Sequence, residues 1–328
     1  MTAFLFPGQA SQFVGMGADL YSEFASARRL FDEADEVLGT RLTSICFEGP
    51  IEALTQTAVT QPAVFVHSCA AAQLLQEQGL VPSHVAGHSL GEYSALVAAG
   101  AISFSKALEL VRERGRLMQH AGELEPGKMA AIIGMDDDSV KALCAEVSAE
   151  GDVVPANFNA PGQVVVSGTA AAVDELAKVA PGRGAKRVIE LTVSGAFHSK
   201  LMAPAAAQME AFIAEAELRA PQVPIITNVS AGPIDDVSQL RAHLIAQITS
   251  PVRWTETLSY LAGAGVNRAL EVGPGAVLKG MARRAKPAPE VQTAGTAEEI
   301  PKAVAWVQDC AQDQATPQGE TPKGEENG

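Results

Sequence analysis

Gly87-His88-Ser89-Leu90-Gly91 is a Gly-x-Ser-x-Gly set between a brief apolar segment, residues 84–89, and residues 90–99, a run without a helix breaker that stops at Gly100. This is the context of a nucleophile elbow, in which a serine occupies a strained strand-to-helix turn and the flanking glycines avoid collisions that larger side chains would make. Such a turn lifts the serine Oγ off the sheet. It also aims the N–H of Leu90, at a helix N-terminus, toward an oxyanion forming on an attacked carbonyl. The plainer alternative is a glycine-rich turn with a helix-capping serine.

A serine nucleophile needs a base within hydrogen-bond reach, and the chain offers six histidines. His67 stands among Val66, Cys69 and Ala70 and reads as core or boundary, His120 and His243 as polar helical surface, and His84 as the opening of the elbow strand. His88 adjoins Ser89, and neighbouring side chains diverge around such a turn. His198 differs, because it follows an apolar segment, residues 191–197, and precedes a helix starting near Lys200. That is the C-terminal end of a strand, where open α/β sheets place their sites; a helix-capping histidine is the alternative. No acid matches it, since Asp152 and Glu190 belong to an inserted segment. A dyad can still orient the imidazole by giving Nδ1–H to a backbone carbonyl. Arg114 shares a helical stripe with Ala107, Val111 and Met118, whereas Arg112 and Arg116 fall on the solvated face with Glu109 and Glu113. A guanidinium on an apolar stripe needs an anion, either an internal carboxylate or a substrate that carries one.

The elements that must position these groups follow from periodicity. Residues 1–6 make a short apolar strand stopped by Pro7-Gly8, and Gln9, Ser11 and Gln12 continue as a loop. Leu30, Phe31, Ala34, Val37 and Leu38 recur on one face of a helix ended by Gly39. Further helices are expected over residues 62–78, with Gly79 as cap, and from Ser103 or Ser105 through Met118. From residue 129 the order changes to strand 129–134, helix 139–149, strand 153–158, turn 159–162, strand 163–168, helix 170–180 and strand 186–193. That β-α-β-β-α-β order is the ferredoxin-like pattern and reads as an insertion in a larger α/β domain. The larger domain resumes with a helix over 200–216, strands over 223–229 and 268–272, and helices over 239–248 and 255–262 between them, the alternation a parallel sheet requires. Pro287-Ala-Pro289 breaks the chain before a last helix over 301–311, and residues 312–328 read as a disordered tail.

Composition agrees with an enzyme of this class. The 328 residues are 47% apolar and 5% aromatic with 29 glycines, as in α/β proteins of two domains or one with an insertion. The net charge is −14, and the largest basic cluster is Arg283-Arg284-Lys286, so nucleic acid and anionic membranes are excluded as partners. A docking rim for an acidic protein would have to be local, with Arg183, Lys186, Arg187, Lys279, Arg283 and Arg284 as candidates. Cys46, Cys69, Cys144 and Cys310 are dispersed, without Cys-x-x-Cys, and read as reduced buried thiols. Neither a signal peptide nor a membrane span is expected, and the cytoplasm fits.

Phe6-Pro-Gly-Gln-Ala-Ser-Gln12, Gln61-Pro62, Gly87-His-Ser-Leu-Gly-Glu-Tyr93, Arg114-Gly115, Asn159-Ala-Pro-Gly-Gln-Val164, Gly195-Ala-Phe-His198, Ser250-Pro-Val-Arg-Trp254 and Glu271-Val-Gly-Pro-Gly275 together resemble the malonyl-CoA:acyl-carrier-protein transacylases. The likeness is collinear from Phe4 to about Arg284. It implies an α/β-hydrolase-like catalytic domain over residues 1–127 and 195–311 and a ferredoxin-like subdomain over 128–194. It implies an enzyme that moves malonyl from malonyl-CoA, through malonyl-Ser89, to the phosphopantetheine thiol of acyl carrier protein for fatty-acid synthesis; a monomer is expected. Neither metal nor bound cofactor is required. By the same likeness His198 is the base, oriented by the main-chain carbonyl of Gln247. Gln9 and Leu90 supply the oxyanion N–H groups, Arg114 holds the malonyl carboxylate, and Gln61 and Phe197 line the acyl site. One departure is visible: the pattern has a second glycine where this chain has Ala10. If that position needs a positive φ, alanine costs about 1 kcal/mol. The serine-hydrolase and idle carrier-binding readings are the alternatives.

Overall fold

The computed structural model describes residues 1–148 and 152–313. The expected tail therefore falls outside the described residues, apart from Gln312 and Asp313, which belong to a last helix, Glu299–Asp313. Ten strands are present among the described residues: β1 (Thr2–Phe6), β2 (His84–Gly87), β3 (Gly127–Ile133), β4 (Val153–Ala160), β5 (Gln163–Thr169), β6 (Arg187–Glu190), β7 (Ile225–Ile226), β8 (Pro233–Ile234), β9 (Arg268–Glu271) and β10 (Glu290–Thr293). They divide into two sheets, one ordered β10-β9-β1-β2-β7-β8 and the other β4-β5-β3-β6.

In the larger sheet, β10, β9, β1, β2 and β7 run parallel, and only β8 turns back. Helices cover both of its faces, and the strands are correspondingly apolar on both sides. Phe4 and Phe6 of β1 enter one buried cluster, while Ala3 and Leu5 enter another. Glycines or prolines bound the strands, and the segments between them coil: Thr57–Glu77, Gly91–Ala98, Phe104–Leu124 and Val237–Gln247 are the helices that bear on the site. Ser103 caps the third through Lys106 N. The smaller sheet pairs antiparallel throughout and packs the helices Asp137–Val147 and Ala170–Val179 over its own core. A short backbone seam joins the two units, with Phe158 N donating to Val252 O and Val252 N to Ala156 O.

Several boundaries differ from expectation for identifiable reasons. The helix expected from Pro62 begins five residues earlier, at Thr57, because Val59 and Thr60 donate to Gln56 O and form the first turn ahead of the proline. The strand expected over 223–229 shrinks to β7, since Asn228 is drawn out of the ladder to bond the elbow through its side chain. The turn at 159–162 narrows to Pro161-Gly162, with Asn159 and Ala160 still within β4 and Ala160 paired to Gln163. β10, where only a break and a helix were expected, lies parallel to β9 directly after Pro289. Among the described residues no helix is long and apolar enough to cross a membrane.

Candidate active site

Ser89 sits on the turn between β2 and the helix Gly91–Ala98, with φ 51°. Only glycine fits on either side of it. A Cβ on Gly87 would lie 1.9 Å from the carbonyl carbon of Gly91, and one on Gly91 would lie 2.1 Å from Phe6 O. Asn228 clamps the turn, accepting from Ser89 N at 2.7 Å and donating from Nδ2 to Gly87 O at 2.6 Å. The turn is thus held by backbone contact with β1 and by two side chains, Asn228 from beyond β7 and Gln247, whose Nε2 donates to Ser89 O.

His198, singled out by its place after an apolar segment, meets Ser89, its Nε2 2.8 Å from Ser89 Oγ. Its Nδ1 lies 2.9 Å from Gln247 O and 3.1 Å from Ser250 O, so two carbonyls fix the tautomer with Nδ1 protonated and leave Nε2 as acceptor. Burial pushes the imidazole down to about 3, the Arg114 cation adds to the shift, and the two carbonyls oppose it. The ring is therefore neutral and able to take a proton across the physiological range. The remaining histidines are elsewhere engaged. His67 is core, against Gly295 O; His88 turns away to Asn159 Oδ1; His84 lies against Tyr260; and His120 is exposed near Glu123. His243 is not free polar surface but bonds Thr227 Oγ1.

Arg114, on the helix Phe104–Leu124, is 1% exposed. Among the described residues no carboxylate hydrogen-bonds to it or pairs with it. Nη1 donates to Gln61 Oε1 at 2.8 Å, and Nη2 to Gln247 Oε1 at 2.9 Å and to Ser89 Oγ at 3.0 Å. Its guanidinium lies over the Tyr93 ring, and Nε has no partner. The cation is thus held by neutral acceptors, and an acyl group on Ser89 Oγ that carries its own carboxylate would stand within its reach. The expected surface pairing of this helix needs correction: Glu113 takes both Arg112 and Arg116, while Glu109 pairs with Lys106.

The loop after β1 supplies the other wall. Gly8 is pressed against the elbow, its hypothetical Cβ 2.5 Å from His88 O. Ala10 has φ 80°, so the position where glycine was expected does carry the positive φ, with alanine in it. Ser11 Oγ donates to Gly8 O and Ala10 N to Gln12 Oε1, while Gln9 Nε2 donates to Thr57 Oγ1. The N–H groups of Gln9 and Leu90 donate to no protein acceptor among the described residues. Gln9, Gln61, Ser89, Leu90, Arg114, Phe197 and His198 line one cavity of about 110 Å³, closed on the far side by Met129, Asn157, Leu191 and Val193 from the smaller unit and its return. That space suits a small acyl group.

Every residue expected at the site is brought to it. Sequence reasoning missed Glu92 and Asn228. Glu92 is buried behind the elbow, accepting from Asn228 N and from Gln247 Nε2, and burial raises its carboxyl well above the usual range against the pull of those donors and Arg114. A charged residue within the otherwise uncharged Gly91–Ala98 helix was the available signal. Burial also pushes the thiols of Cys46 and Cys144 up to about 12, and of Cys69 higher, so they are inert. Among the described residues no group of three His, Cys, Asp or Glu could hold a metal ion. Of the six basic residues expected on a docking rim, Arg183 is taken by Glu146 within the small unit, whereas Lys279 and Arg283 border a hollow beside Phe13 of the β1 loop.

Comparison with known proteins agrees over most of the chain. The acyl transferase domain family matches residues 3–314. A malonyl CoA-acyl carrier protein transacylase of Bacillus subtilis (strain 168) is 48% identical over 283 residues, 86% of this chain and 89% of its own. That of Escherichia coli (strain K12) is 45% identical over 284 residues, 86% and 92%. An acyl-carrier-protein S-malonyltransferase from Bartonella henselae superposes with a TM-score of 0.91 at 44% identity, over 94% of this chain and all of its own. A malonyl-transacylase solved with a type II PKS acyl-carrier protein gives 0.90 at 41% identity, over 92% and 98%.

Proposed function

The chain belongs to the acyl transferase family, and from that premise we propose that Ser89 and His198 are its nucleophile and base and Arg114 its malonyl carboxylate ligand. It transfers malonyl from malonyl-CoA to acyl carrier protein, supplying extender units to fatty-acid or polyketide synthesis. One observation carries the site assignment: Ser89 Oγ lies between His198 Nε2 at 2.8 Å and Arg114 Nη2 at 3.0 Å. The parallel sheet with its elbow at β2 supports an α/β-hydrolase-like domain over residues 1–127 and 195–311. The antiparallel β4-β5-β3-β6 unit supports a ferredoxin-like subdomain over 128–194, with the small shift that β3 begins at Gly127. The enzyme is read as a cytoplasmic monomer without cofactor.

The reaction is two acyl transfers through one intermediate. Ser89 Oγ attacks the malonyl thioester carbonyl while His198 Nε2 takes its proton, and the Gln9 and Leu90 N–H groups receive the oxyanion. The C–S bond breaks, and the imidazolium returns the proton to CoA sulfur. The phosphopantetheine thiol of the carrier then gives its proton to the same nitrogen and attacks the ester, and collapse restores Ser89 O–H. Throughout, Arg114 binds the carboxylate that distinguishes malonyl from acetyl. Incubation with malonyl-CoA should leave one malonyl adduct on Ser89, visible by intact mass and discharged by carrier protein. An adduct that persists in Ser89→Ala would overturn the assignment, and release of free malonate faster than transfer would mark a hydrolase.

A further inference from the structure

Glu92 stands one position past Gly91 and is 2% exposed, yet no step of the reaction uses it. Its carboxylate joins two arms of the site. One oxygen accepts from Asn228 N, and the Asn228 side chain in turn holds Ser89 N and Gly87 O. The other accepts from Gln247 Nε2, which also donates to Ser89 O at 3.0 Å. Gln247 then offers its Oε1 to Arg114 Nη2 and its main-chain O to His198 Nδ1. Two residues, through main chain and side chain, thus connect this one carboxyl group to the nucleophile turn, the base and the arginine.

The chemistry of an amide gives this arrangement a direction. Gln247 has one accepting end and one donating end, and Arg114 can only donate. In this structure both Glu92 oxygens accept from N–H groups, so the side chain holds the NH2 end of Gln247 toward itself and the oxygen toward Arg114. With the amide reversed, NH2 would face Arg114 and oxygen would face the carboxylate, and both contacts would be lost. We propose that Glu92 is a positioning residue that fixes the orientation of Gln247, and through it the pose of Arg114 and the carbonyl that orients His198. The inference rests on the assignment of Ser89, His198 and Arg114 made above.

Glu92→Gln tests it, since that change keeps the shape and replaces one accepting oxygen with a donor. The measurement is steady-state transfer with malonyl-CoA and acetyl-CoA, each rate divided by the number of sites that form an acyl-Ser89 adduct. The expected result is a per-site kcat lower by roughly tenfold to a hundredfold, a raised KM for malonyl-CoA and a reduced preference for malonyl over acetyl. Glu92→Asp, which keeps the carboxyl group, should recover part of the loss. Because Glu92 acts through Gln247, Glu92→Gln added to Gln247→Met should cost less than about threefold more. Wild-type per-site kcat and KM in Glu92→Gln, a loss confined to the number of competent sites, or additive losses in the double variant would each overturn the proposal. If Glu92→Gln does not fold, Glu92→Asp carries the same cycle with the same reading. Failure of the wild-type enzyme to form malonyl-Ser89 would overturn the site assignment instead.

Discussion

Two turns face each other across Ser89, and they are constrained in different ways. The elbow, residues 87–91, is fixed by main-chain contact: Gly87 against Gly91, Gly91 against Phe6 O, and Asn228 across the turn. The loop after β1, residues 8–12, touches the elbow at Gly8 and is otherwise tied by its own side chains, with Ala10 exposed at φ 80°. A turn held by backbone on both sides admits no Cβ. A turn held by side chains at a surface accepts an alanine where glycine would be unstrained. In the proposed mechanism both turns supply an oxyanion N–H, so the difference lies in how much sequence change each survives, not in what it does.

Breaking the elbow is expected to have the largest effect. Gly91→Ala places a methyl 2.1 Å from Phe6 O, a main-chain atom of the central strand that cannot swing aside. Either the turn or β1 must move, which displaces Ser89 Oγ from His198 and Leu90 N from the oxyanion. Loss of Ser89 acylation by about a thousandfold is expected, by malonyl-CoA labelling on protein whose melting confirms that it folds. Retention of more than a tenth of the wild-type rate would show that the elbow yields as the loop does.

Arg114→Ala reads a side chain that meets the elbow at Ser89 Oγ and is otherwise held by Gln61 and Gln247. Withdrawing a bidentate carboxylate donor removes a few kcal/mol of malonyl-specific binding, so kcat/KM for malonyl-CoA should fall about a hundredfold more than that for acetyl-CoA. Equal losses would make Arg114 a brace for Ser89 through its 3.0 Å contact rather than a ligand.

The site was unevenly legible in the sequence, for reasons these residues make plain. Ser89, His198 and Arg114 each interrupt a local pattern, as a serine between glycines, a histidine after an apolar segment and an arginine in an apolar stripe. Gln247 and Glu92 do not, because what makes them functional is a contact made 155 positions apart along the chain. Periodicity describes one element at a time, and Gln247 entered only through family likeness, for its carbonyl and not its side chain. The same limit applied to the fold. The small unit is read nearly strand for strand from the pattern of its own segments, whereas β10 is defined by its pairing with β9 and the shortening of β7 by the bond of Asn228 to Ser89, 139 positions away.

A smaller effect separates the base from both turns. His198 must be neutral at Nε2 to take a proton, and its burial holds it neutral down to about 3. In the free enzyme, kcat/KM should therefore show no loss near pH 6.5, where an exposed histidine would protonate; an acid limb there would contradict the buried geometry. Stability has the matching sign. The unfolded chain binds this proton below about pH 6.5 and the folded chain does not, so stability is full above that pH and declines as pH falls toward 3.

The smallest effect bears most directly on the comparison. Ala10→Gly removes a Cβ from a left-handed residue, which relieves about 1 kcal/mol in the folded loop, but glycine also gives the unfolded chain more freedom to lose. The two nearly cancel, so melting should rise by no more than about 0.5 kcal/mol equivalent. The φ of residue 10 lies downstream of the peptide that carries the Gln9 N–H, and Gly8 already fixes that peptide against His88 O. The rate of malonyl transfer should accordingly stay within about twofold, since no oxyanion donor moves. A tenfold faster variant would mean that Ala10 holds the Gln9 N–H off its line and that the loop is built as strictly as the elbow; an unchanged rate would mean that the strain at residue 10 stays at the surface, away from the reacting carbonyl.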